Sequence, residues 1–112
     1  MRLIANIDDL EEEIKQGQPV MILFGVLSDL SATTQSNRLQ QIEKDFGIKY
    51  CAVDTQINPS FRAKYIINPD ELTMLVYNKG VQIIRLNGLH TPLSVVRLLK
   101  REGALLKEAG NG

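Results

Sequence analysis

The stretch Pro19-Val20-Met21-Ile22-Leu23-Phe24-Gly25-Val26-Leu27-Ser28-Asp29-Leu30-Ser31-Ala32 decides the fold of this chain. Residues 20–24 are apolar at every position, so neither side of the run suits water. That is the pattern of a central strand in a parallel sheet covered on both faces. After Gly25 the pattern breaks, and Ser28, Asp29 or Ser31 supplies an N-cap for a helix over 28–47.

Leu39, Ile42 and Phe46 give that helix a buried stripe at i, i+3 and i+7, and Gly47 ends it. Residues 48–53 alternate and then turn apolar, which predicts a second strand closed by Asp54. Asn58-Pro59 starts a short helix over 60–65. The runs 72–77 and 81–86 flank Asn78-Lys79-Gly80 and are expected to pair as an antiparallel hairpin. Thr91-Pro92 offers an N-cap followed by Pro at the first helical position, and Val95, Val96, Leu98 and Leu99 form the core face of a last helix. Upstream, Asp8 and Glu11 make a capping box for a first helix over 8–17, with Leu10 and Ile14 four apart on its inner face. The order is αβαβαββα: an α/β three-layer sandwich, its central mixed sheet covered by helices on both faces. Residues 1–103 read as one domain. Residues 104–112 read as a C-terminal tail, loosened by Gly103, Gly110 and Gly112, from which Leu105 and Leu106 could dock.

Composition narrows the role. A chain of 112 residues can bury a core without staples. Thirteen basic and thirteen acidic residues cancel, so no long-range field draws the chain to nucleic acid or an anionic membrane. With Phe24, Phe46, Phe61, Tyr50, Tyr65 and Tyr77 as the only aromatics, the chain also lacks base-stacking platforms. One cysteine excludes an internal disulfide. No apolar run approaches the roughly twenty residues of a transmembrane helix, and acidic residues directly after Ile7 do not fit a secretory signal. The expectation is a cytoplasmic protein. One histidine and one cysteine cannot build a metal site without many carboxylates, and no cofactor is implied.

Four stretches resemble thioredoxins in order and spacing, together covering about residues 7–99. They are Pro19 to Phe24; Val53-Asp54 with Asn58-Pro59 and Lys64-Tyr65; Leu72 to Gly80 with its Thr and Asn-Lys-Gly turn; and Gly88-Leu89-His90-Thr91 through Leu99. The resemblance implies a thioredoxin-like fold, lacking at most the first strand of the longest members. It also exposes departures. The positions of the two reactive cysteines fall on Asp29 and Ala32, and a carboxylate and a methyl group cannot exchange disulfides. Leu23 stands where the family keeps a buried Asp for proton transfer. Leu72 stands where it keeps a cis proline, and since a non-proline cis bond costs about 3 kcal/mol, the Glu71–Leu72 bond is expected to be trans. Asn37 replaces the proline that bends the active-site helix, and the stretch from Asp54 to Pro59 is two residues longer than usual.

Individual residues carry two readings each. Cys51 is either a reactive thiol or a small hydrophobe packed in the sheet, and no flanking pattern depresses its pKa. His90 borders what the resemblance makes a substrate groove, or is an ordinary surface-loop histidine. The acidic run Asp8, Asp9, Glu11, Glu12 and Glu13 is a lure for a basic partner or a solvated helix face, and the latter is the simpler account. Ser28, Asp29 and Ser31 superficially offer a nucleophile and an acid, yet capping accounts for all three. No catalytic residues are assigned, and the chain is not expected to be an enzyme. The expectation is a redox-inactive, thioredoxin-like module for protein binding, of assembly or chaperone type. Its contact residues are Val26, Leu27, Asp29, Leu30, Leu72, Thr73, Leu89 and His90, on loops 25–32, 68–73 and 88–91. The patch would bind a protein partner or close a homodimer. The alternative is a thiol-based redox protein or sensor working through Cys51.

Overall fold

The apolar run at 20–24 becomes the middle strand of a five-stranded sheet in the computed structural model, which describes residues 1–105. The elements in chain order are β1 (Arg2–Ile4), α1 (Ile7–Lys15), β2 (Val20–Gly25), α2 (Leu30–Phe46), β3 (Lys49–Asp54), α3 (Ser60–Tyr65), β4 (Thr73–Asn78), β5 (Val81–Asn87) and α4 (Pro92–Arg101). The expected order αβαβαββα is present, preceded by β1, too short to carry a periodicity of its own. Parallel pairing with β3, Arg2 opposite Cys51 and Ile4 opposite Val53, makes it a strand.

The sheet order is β1-β3-β2-β4-β5, with β2 parallel to β3 and antiparallel to β4. Every residue of β2 is buried because helices cover both sides. On one face Met21, Leu23, Tyr50, Ala52, Met74 and Val76 meet Leu39 and Ile42 of α2 and Val95 and Leu99 of α4. On the other, Ile22, Phe24, Cys51, Val53 and Leu75 meet Leu10 of α1 and Phe61 and Tyr65 of α3. Phe24, Phe61 and Tyr65 form an aromatic cluster with ring centroids 5.4–6.3 Å apart.

Local signals set most element ends. Gly47 closes α2 in the left-handed conformation (φ 72°) and donates to the Glu43 carbonyl, a geometry that costs glycine little. Lys79 and Gly80 both have positive φ, giving the two-residue turn whose twist matches a hairpin. Thr91 caps α4 by accepting from the Ser94 amide. The cap of α1 is Asn6, which accepts from the Asp9 amide at 2.9 Å, and not Asp8; the helix ends at Lys15, just before the expected Gly17. The Glu71–Leu72 peptide bond is trans. Ala104, placed by the sequence in the tail, is buried against the α2–α4 core, and Leu105 packs beside it, because the chain turns back after Gly103. Residues 106–112, including Leu106, lie outside the described residues. Among the described residues no helix is long and apolar enough to cross a membrane.

The acidic run of α1 is not wholly a solvated face. Glu13 is only 2% exposed, held between Lys49 Nζ (2.6 Å) and Arg2 Nη1 (2.8 Å), with the Cys51 thiol 3.9 Å away. Burial alone would raise its pKa, but the hydrogen bonds from Lys49 and Arg2 outweigh burial and hold it below 4.5. Its ionised form therefore stabilises the fold above the unfolded carboxyl's pKa, and that stabilisation is lost as pH falls through the lower folded value. Lys49→Met removes the stronger of the two hydrogen bonds and leaves burial less opposed. Acid unfolding followed by circular dichroism should begin at a higher pH in this variant than in the parent, and identical acid transitions would contradict this account.

Candidate functional site

β2 and β3 end together, Gly25 opposite Asp54; β4 starts at that edge with Thr73 opposite Phe24, and β5 ends there with Asn87 opposite Thr73. The connections 26–29, 55–59, 66–72 and 88–91 therefore emerge side by side, at the carboxyl ends of the parallel strands where α/β folds place their ligands.

Hydrogen bonds lace these connections into one surface. The Thr55 amide donates to the Gly25 carbonyl at 3.0 Å. Asp54 Oδ1 accepts from the Gln56 and Ile57 amides at 3.0 and 3.1 Å, while Oδ2 accepts from Leu27 at 3.3 Å, so one carboxylate ties two loops together. The Gly88 amide donates to the Leu72 carbonyl at 2.8 Å, joining the third loop to the fourth. The fourth is clamped to α2 through the His90 backbone: its amide donates to Gln35 Oε1, and its carbonyl accepts from Arg38 Nη1, both at 3.1 Å. His90 Nε2 lies 2.9 Å from the Asn87 carbonyl, and since a carbonyl can only accept, Nε2 carries the proton.

The eight expected contact residues do not share one fate. Leu30 is 82% exposed and Leu89 49%, and Asp29 is also exposed. Val26, Leu27, Leu72 and His90 are half-buried, with Leu27 and Leu72 packed against the core between α2 and α4. Thr73 is buried as the first residue of β4, paired with Asn87 of β5, and its hydroxyl donates to Asn87 Oδ1 at 3.1 Å, so it braces the hairpin and does not face water. Asp29 is the N-cap of α2 by backbone geometry, yet its carboxylate makes no capping bond, so capping does not account for that side chain.

Three contributors escaped the sequence reading. Ile57, on the lengthened connection after β3, is 75% exposed and its amide is held by Asp54. Gln35 is almost wholly buried within the α2 stripe of Ala32, Leu39 and Ile42, and a polar residue in an apolar stripe was the available signal. Arg38 carries no local signal, because its carbonyl partner is 52 residues away.

At the head of α2, Asp29 faces water, Ala32 is buried in the first turn, and the buried Leu23 side chain lies in the core beneath. Cys51 is fully buried and belongs to the opposite face of the sheet, toward α1 and α3. Its burial, followed by the charge of Glu13, pushes the thiol up to about 11. Among the described residues no group of His, Cys, Asp and Glu could hold a metal ion. A cleft of about 460 Å3 lies on the α1–α3 side of the sheet and reaches the start of the third connection at Ile66, with Ile14, Lys64, Tyr65, Tyr77 and Arg85 among its other lining residues. Among its cations Lys64 pairs with Glu11 at 3.3 Å, and Arg85 donates to the carbonyls of Tyr65 and Ile66.

No family model matches the chain, and no curated protein matches it in sequence. Solved structures do match. Fasciola hepatica thioredoxin superposes with TM-score 0.80 at 20% identity, covering 91% of this chain and 99% of that one. A mutant thioredoxin from Halobacterium salinarum gives 0.81 at 12% identity, covering 90% and 88%. Oxidised mitochondrial thioredoxin 3 from Saccharomyces cerevisiae gives 0.78 at 15% identity, covering 90% and 94%. The chain is thioredoxin-like in fold, and it has a single cysteine where disulfide exchange at one site needs a pair.

The close contact of loops can be tested. A Cβ on Gly25 would stand 2.7 Å from Leu72 Cδ1 and 4.0 Å from Ala32 Cβ, so the Leu72 side chain lies directly over Gly25. Gly25→Ala should cost about 1–2 kcal/mol through overpacking. In a Leu72→Ala background most of that increment should vanish, and urea denaturation of the four-variant cycle measures the coupling. Additive effects would mean the two loops do not touch as described.

Proposed function

We propose that this chain is a redox-inactive thioredoxin-like domain that binds protein, in assembly or chaperone-type work, through the loops at the carboxyl edge of its sheet. The observation that carries the reading is the head of α2, where Asp29 and Ala32 stand in place of a thiol pair while aliphatic side chains from separate loops remain in contact with water. A helix N-terminus lowers a thiol's pKa by its dipole, but Asp29 has no soft sulfur to activate and Ala32 nothing to resolve with. Leu30, Ile57 and Leu89 exceed scattered surface aliphatics because hydrogen bonds hold their loops side by side. Desolvation of such a patch favours association, with the flanking polar groups as its rim. The chain is not an enzyme in this reading, and a reduced lone thiol suits the cytoplasm.

The rival, a sensor working through Cys51, is disfavoured by a thiol that is buried and pushed up to about 11, since the thiolate is the reactive species. Native protein at pH 8 should therefore resist iodoacetamide and label only on unfolding, and insulin reduction with dithiothreitol should run at the uncatalysed rate. Rapid native labelling would favour the sensor.

Leu30→Asp and Leu89→Asp should abolish association with a protein partner or a second copy while moving stability by under about 0.5 kcal/mol, as exposed positions do. Leu72→Asp, by contrast, should destabilise, since Leu72 packs against the core. Pull-down, sedimentation and urea denaturation of the three variants check both arms. Association that is indifferent to the first two variants would refute the reading.

A further inference from the structure

The docking edge is electrically unlike the rest of the molecule. Its connections, taken with the strand ends and first helical residues beside them (25–32, 54–60, 66–73 and 87–93), contain four carboxylates, Asp29, Asp54, Asp70 and Glu71, and neither lysine nor arginine. In the sequence all thirteen basic residues fall outside these segments, against nine of the thirteen acidic ones, so the segments carry −4 and the rest of the chain +4. Asp29, Asp70 and Glu71 are exposed; Asp54 is spent on three backbone amides but keeps its charge. Cations border these segments and reduce their charge in part: Arg38 donates to the His90 carbonyl and Arg85 to that of Ile66, and both keep their charge. The exposed carboxylates Asp29, Asp70 and Glu71 remain the charge that the loops themselves present. His90 donates to Asn87 from Nε2.

We propose that the edge selects a protein segment with aliphatic anchors flanked by lysine or arginine. The inference rests on the docking reading above and adds the partner's chemistry. Leu30, Ile57 and Leu89 supply apolar contact that any aliphatic segment would use, so they give affinity without choice. The carboxylates around them supply choice: they attract a cationic flank during encounter, and a like-charged flank is repelled as its charges are brought close. Asp70 and Glu71 matter most, because they directly precede Leu72, whose side chain covers Gly25 at the middle of the edge. A second copy of the chain could reach this edge only with its oppositely charged body. Such head-to-tail contact would give a ring or an open filament and not a two-fold dimer, so a separate basic segment is the simpler match.

A display library of random twelve-residue peptides, panned against the intact chain and counter-selected on the Leu30→Asp/Leu89→Asp variant, tests the proposal. Peptides that depend on the edge should be enriched in Lys and Arg beside Leu, Ile or Val. Their binding should weaken about 10-fold or more between 20 mM and 500 mM salt, as the screening length shrinks from about 20 Å to about 4 Å. Panning on Asp70→Lys/Glu71→Lys, confirmed as folded by circular dichroism, should turn the enrichment toward Asp and Glu. Edge-dependent peptides without charge bias, or without that reversal, would overturn the inference and leave the docking reading standing. Failure to recover any edge-dependent peptide would overturn both. Self-association of the parent chain that is lost in Leu30→Asp/Leu89→Asp would make the occupant a second copy and overturn the inference alone.

Discussion

Complete burial of β2 is the constraint from which the other features follow. A strand whose six residues are all shielded needs hydrogen-bonded strands at both edges and apolar cover on both faces. β3 and β4 satisfy the edges, α2 and α4 one face, and α1 and α3 the other. Because β2 and β3 are parallel, the chain must leave at one end of the sheet and return at the other through a helix, and this directs the connections after β2 and β3 to a single edge. The hairpin then brings the approach to β4 and the exit from β5 to the same place. The surface we propose for docking is thus a by-product of how β2 is buried.

The same edge has a hydrogen-bonded support drawn from several elements. Asp54 and Gln35 are polar groups spent on backbone amides of neighbouring loops, and Arg38 on a carbonyl. Such bonds hold aliphatic side chains against water without a covalent link, and an already ordered surface loses less conformational freedom on binding. On the far side of the sheet the buried Glu13 with Arg2 and Lys49 does comparable work, fastening β1, α1 and β3, and it places a negative charge beside Cys51. The one thiol is therefore doubly discouraged from ionising, by burial and by that charge.

Local signals made much of this legible. The apolar run at 20–24, the Gly47 stop, the Lys79-Gly80 turn and the Thr91-Pro92 cap each act through a few neighbouring residues, so periodicity and turn chemistry reveal them. The loops of the edge were legible as loops, and Leu30 and Leu89 as exposed aliphatics, because each interrupts a pattern that buried residues must keep. The resemblance to thioredoxins supplied the positions against which Asp29, Ala32, Leu23 and Leu72 read as departures.

Contacts distant in sequence were beyond such reading. β1 exists as a strand because β3 offers it a ladder, and Glu13 is buried because Lys49 and Arg2 arrive from two other elements. Thr73 turns inward to Asn87, fourteen residues on, and Ile57 joins the edge because Asp54 bends its loop toward Leu27. The amino-acid sequence by itself determined the secondary elements after β1, their order and the absence of a thiol pair, since these depend on local periodicity and residue type. Only the tertiary structure decided which polar groups are buried, which aliphatics face water and which loops meet, since those depend on packing between residues far apart in the chain.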